Sequence, residues 1–176
     1  MNKILLCQHG GSENHGCEAL ARTALGLIKS ADESAEVTLY SYKIEGDKKY
    51  LPDLPVTLKG LSALPNRLSM HNIGYHLKKR LGVKGASKLP ITDEFEALTQ
   101  NSSLVIAIGG DNYCYNKGEG YYALDRFIKE NSRRYMLLGA SCEPDDIRDG
   151  LGGHLKVFDL ITARESLTYD AMINFG

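Results

Sequence analysis

SLVIAIGGD, residues 103–111, is the most informative segment of the chain. Ser103 to Ile108 is apolar without alternation, the pattern of a central parallel strand buried on both faces, and it stops abruptly at Gly109-Gly110-Asp111. Lys3 to Cys7 is a shorter run of the same kind that ends in His9-Gly10-Gly11. Glu36 to Ser41 alternates as a second strand, Tyr135 to Leu138 leads into Gly139-Ala140-Ser141, and Leu160 to Thr162 reads as a last short strand. Between them helical spacing recurs: Glu18 to Ile28 through Leu20, Ala21, Ala24, Leu25 and Ile28, then Tyr121 to Asn131, Asp145 to Val157, and Arg164 to about Ile173. Thr92-Asp93-Glu94 resembles an N-cap followed by acidic first-turn residues, opening a short helix to Gln100. Alternating strands and helices predict an α/β domain, a Rossmann-like and mainly parallel sheet with flanking helices, with Ile4 to Cys7 and Leu104 to Ile108 in its interior. From Tyr42 to Leu89 the signal weakens among Pro52, Pro55 and Pro65. There Leu64, Leu68, Ile73, Leu77 and Leu81 suggest one or two helices broken near Gly74.

The 176 residues carry 21 basic and 22 acidic side chains, with 43% apolar and 24% charged residues. That length supports one well-buried core, and the composition excludes disordered, collagenous and disulfide-scaffold classes. Balanced charge gives no overall field for nucleic acid, so none is expected as a partner. The apolar start of the chain is too short for a signal peptide, and no run approaches the roughly 20 apolar residues that span a bilayer. These features predict a cytoplasmic chain. Cys7, Cys17, Cys114 and Cys142 form no C-x-x-C pair. Although three of them share the predicted ligand edge with His9 and His15, their spacing matches no metal site, and neither metal nor cofactor is expected.

In an open α/β sheet the ligand lies beyond the carboxyl ends of the strands, which singles out the loops at 8–16, 109–118, 139–143 and 163–166. Gly11 and Gly16 have P-loop spacing, but Cys17 and Glu18 stand where Lys and Ser/Thr are needed, and the dinucleotide glycine pattern is also missing. What remains is a polar loop with Ser12, Asn14 and His15 ahead of a helix, suited to hydroxyls or an anion. Glu18 favours a hydroxyl-rich ligand such as a sugar. Asp111 either caps its own turn or contacts a ligand. Arg164, a cation at a helix start, either pairs with Asp159 or Glu165 or faces an anion in the cleft. Arg67, Lys78, Lys79, Arg80, Lys84 and Lys88, interleaved with apolar residues, are the basic cluster; residues 64–88 either form a solvated helix face or make peripheral contact with an anionic membrane at its inner face.

GGSENHGCEA (residues 10–19), AIGGDNY (107–113), LGAS (138–141) and LITARES (160–166), in this order, resemble the polysaccharide pyruvyl transferase family. The resemblance implies an enzyme built from two Rossmann-like halves, glycosyltransferase-B-like, in which residues 1–176 are a single domain matching the N-terminal half and the second half is missing. It implies transfer of the enolpyruvyl group of phosphoenolpyruvate to sugar hydroxyls, on a free or lipid-linked saccharide acceptor, forming a pyruvate ketal in a cell-surface polysaccharide. The first loop departs from the commoner Asn-x-Gly-Asp form, with Cys17 at the Asp position. On this reading Asp111 and His15 are the candidate catalytic residues, and Gly10, Gly11, Asn14, Gly16, Glu18, Gly109, Gly110 and Arg164 bind substrate. Arg164 is then the one fixed cation on the rim, beside Glu18, Asp111 and Glu165, so this chain alone is expected to be inactive. The alternative is a non-catalytic sugar- or nucleotide-binding Rossmann-like domain.

Overall fold

The computed structural model describes residues 1–61, 70–81, 87, 89–114 and 116–176, with only the backbone of 71, 72, 79 and 116 described. Six strands form one parallel sheet: β1 (Lys3–His9), β2 (Glu36–Ser41), β3 (Thr57–Gly60), β4 (Leu104–Ala107), β5 (Tyr135–Ala140) and β6 (Leu160–Ala163), in the order β3-β2-β1-β4-β5-β6. The predicted interior strands, β1 and β4, are direct neighbours, with Ile4 opposite Leu104 and Cys7 opposite Ala107. Helices α1 (His15–Ala31), α2 (Ile44–Tyr50), α3 (Met70–Arg80), α4 (Asp93–Asn101), α5 (Tyr122–Asn131), α6 (Pro144–Asp146), α7 (Gly152–Leu155) and α8 (Ser166–Phe175), with a 3-10 turn at Asn116–Gly118 and a π-helical turn at Ile147–Leu151, complete the described elements. This is an α/β, Rossmann-like architecture.

Residues that alternate along a strand face opposite sides of the sheet, so the two interior strands feed two cores. Ile4, Leu6, Val37, Leu39, Ile106 and Ile108 pack with Ala21, Ala24, Leu25 and Ile28 of α1. Leu5, Cys7, Tyr40, Val105, Ala107, Tyr135 and Leu137 pack on the other side with Phe95 of α4, Leu124 and Ile128 of α5, and Leu155 of α7. On the α1 side the cover is incomplete over β4 to β6: Leu104, Met136 and Leu138 are only partly buried and line a groove with Ala24, Leu27 and Arg134. Leu27 and Leu160 are both 56% exposed.

Three local expectations change. Gly74 does not break α3, which runs through it. The helical segment expected over Asp145 to Val157 is present but irregular, as α6, a π-helical turn over Ile147–Leu151 and α7 in succession, because Asp149 (φ −96°, ψ 48°) and Gly150 (φ 102°) leave helical geometry. α8 starts at Ser166 with Glu165 as N-cap, so Arg164 lies in the bend that follows β6 and not in the first turn of a helix. Residues 64, 67, 68, 84 and 88 of the apolar and basic pattern lie outside the described residues.

Candidate functional site

The strand order reverses between β1 and β4, with β2 on one side of β1 and β4 on the other. Loops that leave such a pair diverge and open a crevice at the carboxyl ends. Since all the strands are parallel, the loops after β1, β4, β5 and β6 share that edge.

The β1 loop is pinned from below. His9 is buried, with Nε2 2.9 Å from Asp47 Oδ1 and 3.2 Å from Ser12 Oγ, and the Ser12 amide donates to the same Asp47 oxygen at 2.7 Å. Burial pulls the Asp47 carboxyl upward, but the hydrogen bonds from His9 and Ser12 outweigh it and leave it at about 2. Asn14 caps α1, its Oδ1 accepting from the Gly16 amide at 2.8 Å. Over Gly11 lies the stem of Lys43, which would stand 2.9 Å from an added Cβ, while Lys43 Nζ is 3.4 Å from Glu13 Oε2. Lys43 is therefore a second cation on the rim beside Arg164, correcting the expectation of one. His15 is 88% exposed and its Nδ1 is 3.3 Å from Glu18 Oε2. Glu18 is held below its ordinary value first by Arg22 and then by His15, and Arg22 also bridges to Asp53 at 2.9 Å. The Glu18 carboxylate is thus committed to a surface cluster.

The β4 loop requires glycine at 109 and leaves little room at 110. A Cβ on Gly109 would fall 1.8 Å from Asn112 Nδ2 and 2.8 Å from Gln8 O; one on Gly110 would fall 3.1 Å from Gly139 O and 3.3 Å from Arg164 Nη1. Arg164 therefore lies against Gly110. Its half-exposed guanidinium meets Glu165 only at 3.9 Å, and Asp159, the other partner considered, accepts instead from the Tyr135 amide at 2.7 Å and from Lys129. The turn after Gly110 is closed by backbone, Cys114 N to Asp111 O at 3.1 Å. The exposed Asp111 carboxylate accepts no hydrogen bond from any described residue, so it is not the cap of that turn.

Two thiols sit on this rim. Cys17 Sγ would be 3.3 Å from a Cβ on Gly10, and Cys114 Sγ donates to Ser141 O at 2.8 Å. Burial first, and then the Asp111 charge among other groups, raise both thiols above their ordinary values, so both remain protonated. The shared influence of Asp111 puts the β1 and β4 loops within electrostatic reach of each other.

Below the rim lies a polar network that sequence reasoning did not find. Asp125, fully buried, accepts from Gln8 Nε2 (2.5 Å), Tyr135 OH (2.8 Å), Tyr113 OH (2.9 Å) and His154 Nε2 (2.8 Å). The Tyr122 ring stacks on His154 at 3.6 Å between centroids. Gln8, at φ 59°, also receives Asn112 Nδ2 on its carbonyl at 3.2 Å, which ties the end of β1 to the β4 loop. The one local signal for this network was a charged residue, Asp125, on the apolar stripe of α5.

A doubly wound sheet with a glycine-lined, polar crevice where its strand order reverses defines a Rossmann-like domain. Residues 14–176 match the model of the polysaccharide pyruvyl transferase family, and the chain belongs to that family. The match covers nearly the whole chain and does not single out an N-terminal half. No curated protein and no solved structure matches the chain.

Proposed function

We propose that this chain serves the transfer of the enolpyruvyl group of phosphoenolpyruvate to two hydroxyls of a sugar, yielding a pyruvate ketal in a cell-surface polysaccharide, as the acceptor-side half of a glycosyltransferase-B-like enzyme. Family membership supports the reaction class. The single observation that carries the site is that the β4 loop presents an exposed, unbonded Asp111 carboxylate next to Gly110, against which the Arg164 guanidinium lies.

The reaction protonates the donor methylene to a methyl group, adds one sugar oxygen to the adjacent carbon, expels phosphate, and adds the second oxygen. One hydroxyl proton ends on the methyl group and the other on phosphate. Asp111 accepts a hydroxyl proton as general base, and Arg164 with Lys43 faces the anionic groups. His15, exposed at the start of α1, is the candidate proton donor. Gly10, Gly11, Gly109 and Gly110 let backbone approach the sugar closely. Asn14 and Gly16, bonded to each other, and Glu18, bonded to Arg22, shape the wall of the site.

The half reading is favoured over a closed domain by the incompletely covered apolar face over β4 to β6, the kind of surface that a further segment of protein buries. Both rim cations stand beside carboxylates, Lys43 by Glu13 and Arg164 by Glu165, which leaves a trianionic donor poorly neutralised.

Purified 1–176 is therefore expected to bind acceptor saccharides without releasing phosphate from phosphoenolpyruvate. Asp111→Asn and Arg164→Ala should each weaken saccharide binding by about tenfold, the loss of one charged hydrogen bond. Acceptor-dependent phosphate release by this chain alone refutes the half-site argument. Saccharide affinity unchanged in both variants refutes the site. Saccharide binding at the site, with no turnover even when a second family half is supplied, assigns the domain to non-catalytic binding.

A further inference from the structure

We infer that α3 lays the protein on an anionic lipid surface, through an apolar stripe flanked by basic side chains. At the α-helical pitch, Met70, Ile73, Leu77 and the adjoining Leu81 fall within an arc of about 80°, and Lys78 and Arg80 fall on its two sides. The helical bonding continues to Leu81, whose amide donates to Leu77 O at 3.0 Å. All four apolar residues face water: Met70 is 84% exposed, Leu81 68%, Leu77 56% and Ile73 49%. No residue of α3 whose side chain is described is buried.

An 11-residue helix is too short to be stable alone in water and draws its stability from a covered apolar face. Charge complementarity names the cover. Residues 54–92 contain seven of the 21 Lys and Arg and none of the 22 Asp and Glu, so the segment is cationic in a chain that is otherwise acidic. An apolar stripe with basic residues on both sides fits the boundary between headgroups and acyl chains, where Lys78 and Arg80 keep their charges in the phosphate layer. No helix among the described residues is long and apolar enough to cross a membrane, so the contact is peripheral. It depends on α3 and not on the proposed reaction.

The test is co-sedimentation of the full chain with vesicles of phosphatidylcholine alone and with about one third phosphatidylglycerol, at low and high salt. Binding is expected on the anionic vesicles only and should fall steeply with salt. Lys78→Gln with Arg80→Gln should lower the partition coefficient about 30-fold, and Ile73→Ser with Leu77→Ser at least about tenfold, with thermal melting unchanged. Equal binding to neutral vesicles, or none to anionic ones, overturns the inference. Self-association that Ile73→Ser with Leu77→Ser abolishes, without vesicle binding, also overturns it and assigns the stripe to a second copy of the chain.

Discussion

Replacing Asp47 by Asn tests whether the β1 loop is held by a buried charge. Asp47 Oδ1 takes both the Ser12 amide and His9 Nε2, and these bonds, working against burial, hold the carboxyl at about 2 against an ordinary value of 3.8. At about 1.4 kcal/mol per pH unit, that difference is worth ~2 kcal/mol of folding stability. Because the folded-state value lies below the unfolded one, the contribution is complete above the ordinary carboxyl value and is lost as pH falls through about 2. Urea unfolding of Asp47→Asn and the parent, followed by circular dichroism from neutral pH downward, should therefore show a gap of ~2 kcal/mol near neutrality that closes in acid. The other carboxylates titrate in both proteins and cancel in the difference. A gap that stays constant with pH refutes a buried carboxylate as the origin of the stabilisation.

Gly109→Ala should destabilise the fold by about 2–4 kcal/mol in the same assay, since its Cβ would displace the Asn112 amide that bonds the Gln8 carbonyl. Asp125→Ala, which removes the acceptor shared by four donors and leaves Tyr135 OH and His154 Nε2 with none, should cost about 4 kcal/mol; a loss below about 1 kcal/mol would show the network to be dispensable. In native protein, iodoacetamide should modify Cys17 and Cys114 slowly and leave Cys7 and Cys142 intact, because burial raises the Cys7 thiol and pushes Cys142 up to about 12. All four thiols should react in denaturant. Rapid native labelling of Cys142 would contradict its burial.

The strands that are buried and continuous were legible from the residue pattern alone. β1, β4 and β5 are apolar runs ended by glycine, α1 and α5 carry full apolar stripes, and such patterns have one economical burial, a parallel sheet between helices. The edge that gathers the strand-ending loops was legible too, because a parallel sheet puts every such loop on one side. The weak elements left no such trace. β3 is a four-residue edge strand without buried side chains, and α2 is a seven-residue helix whose one buried residue is the charged Asp47. The strand order, the place of Lys43 over Gly11 and the polar pairs beneath the rim emerged only with the folded chain. His9 and Asp47 are 38 positions apart, and Gln8 and Asp125 are 117 apart. A hydrophobic pattern records which face of an element is buried, because burial acts on each residue alone. A buried hydrogen bond depends on which two distant segments the finished fold brings within about 3 Å, and no periodicity in either segment encodes its partner.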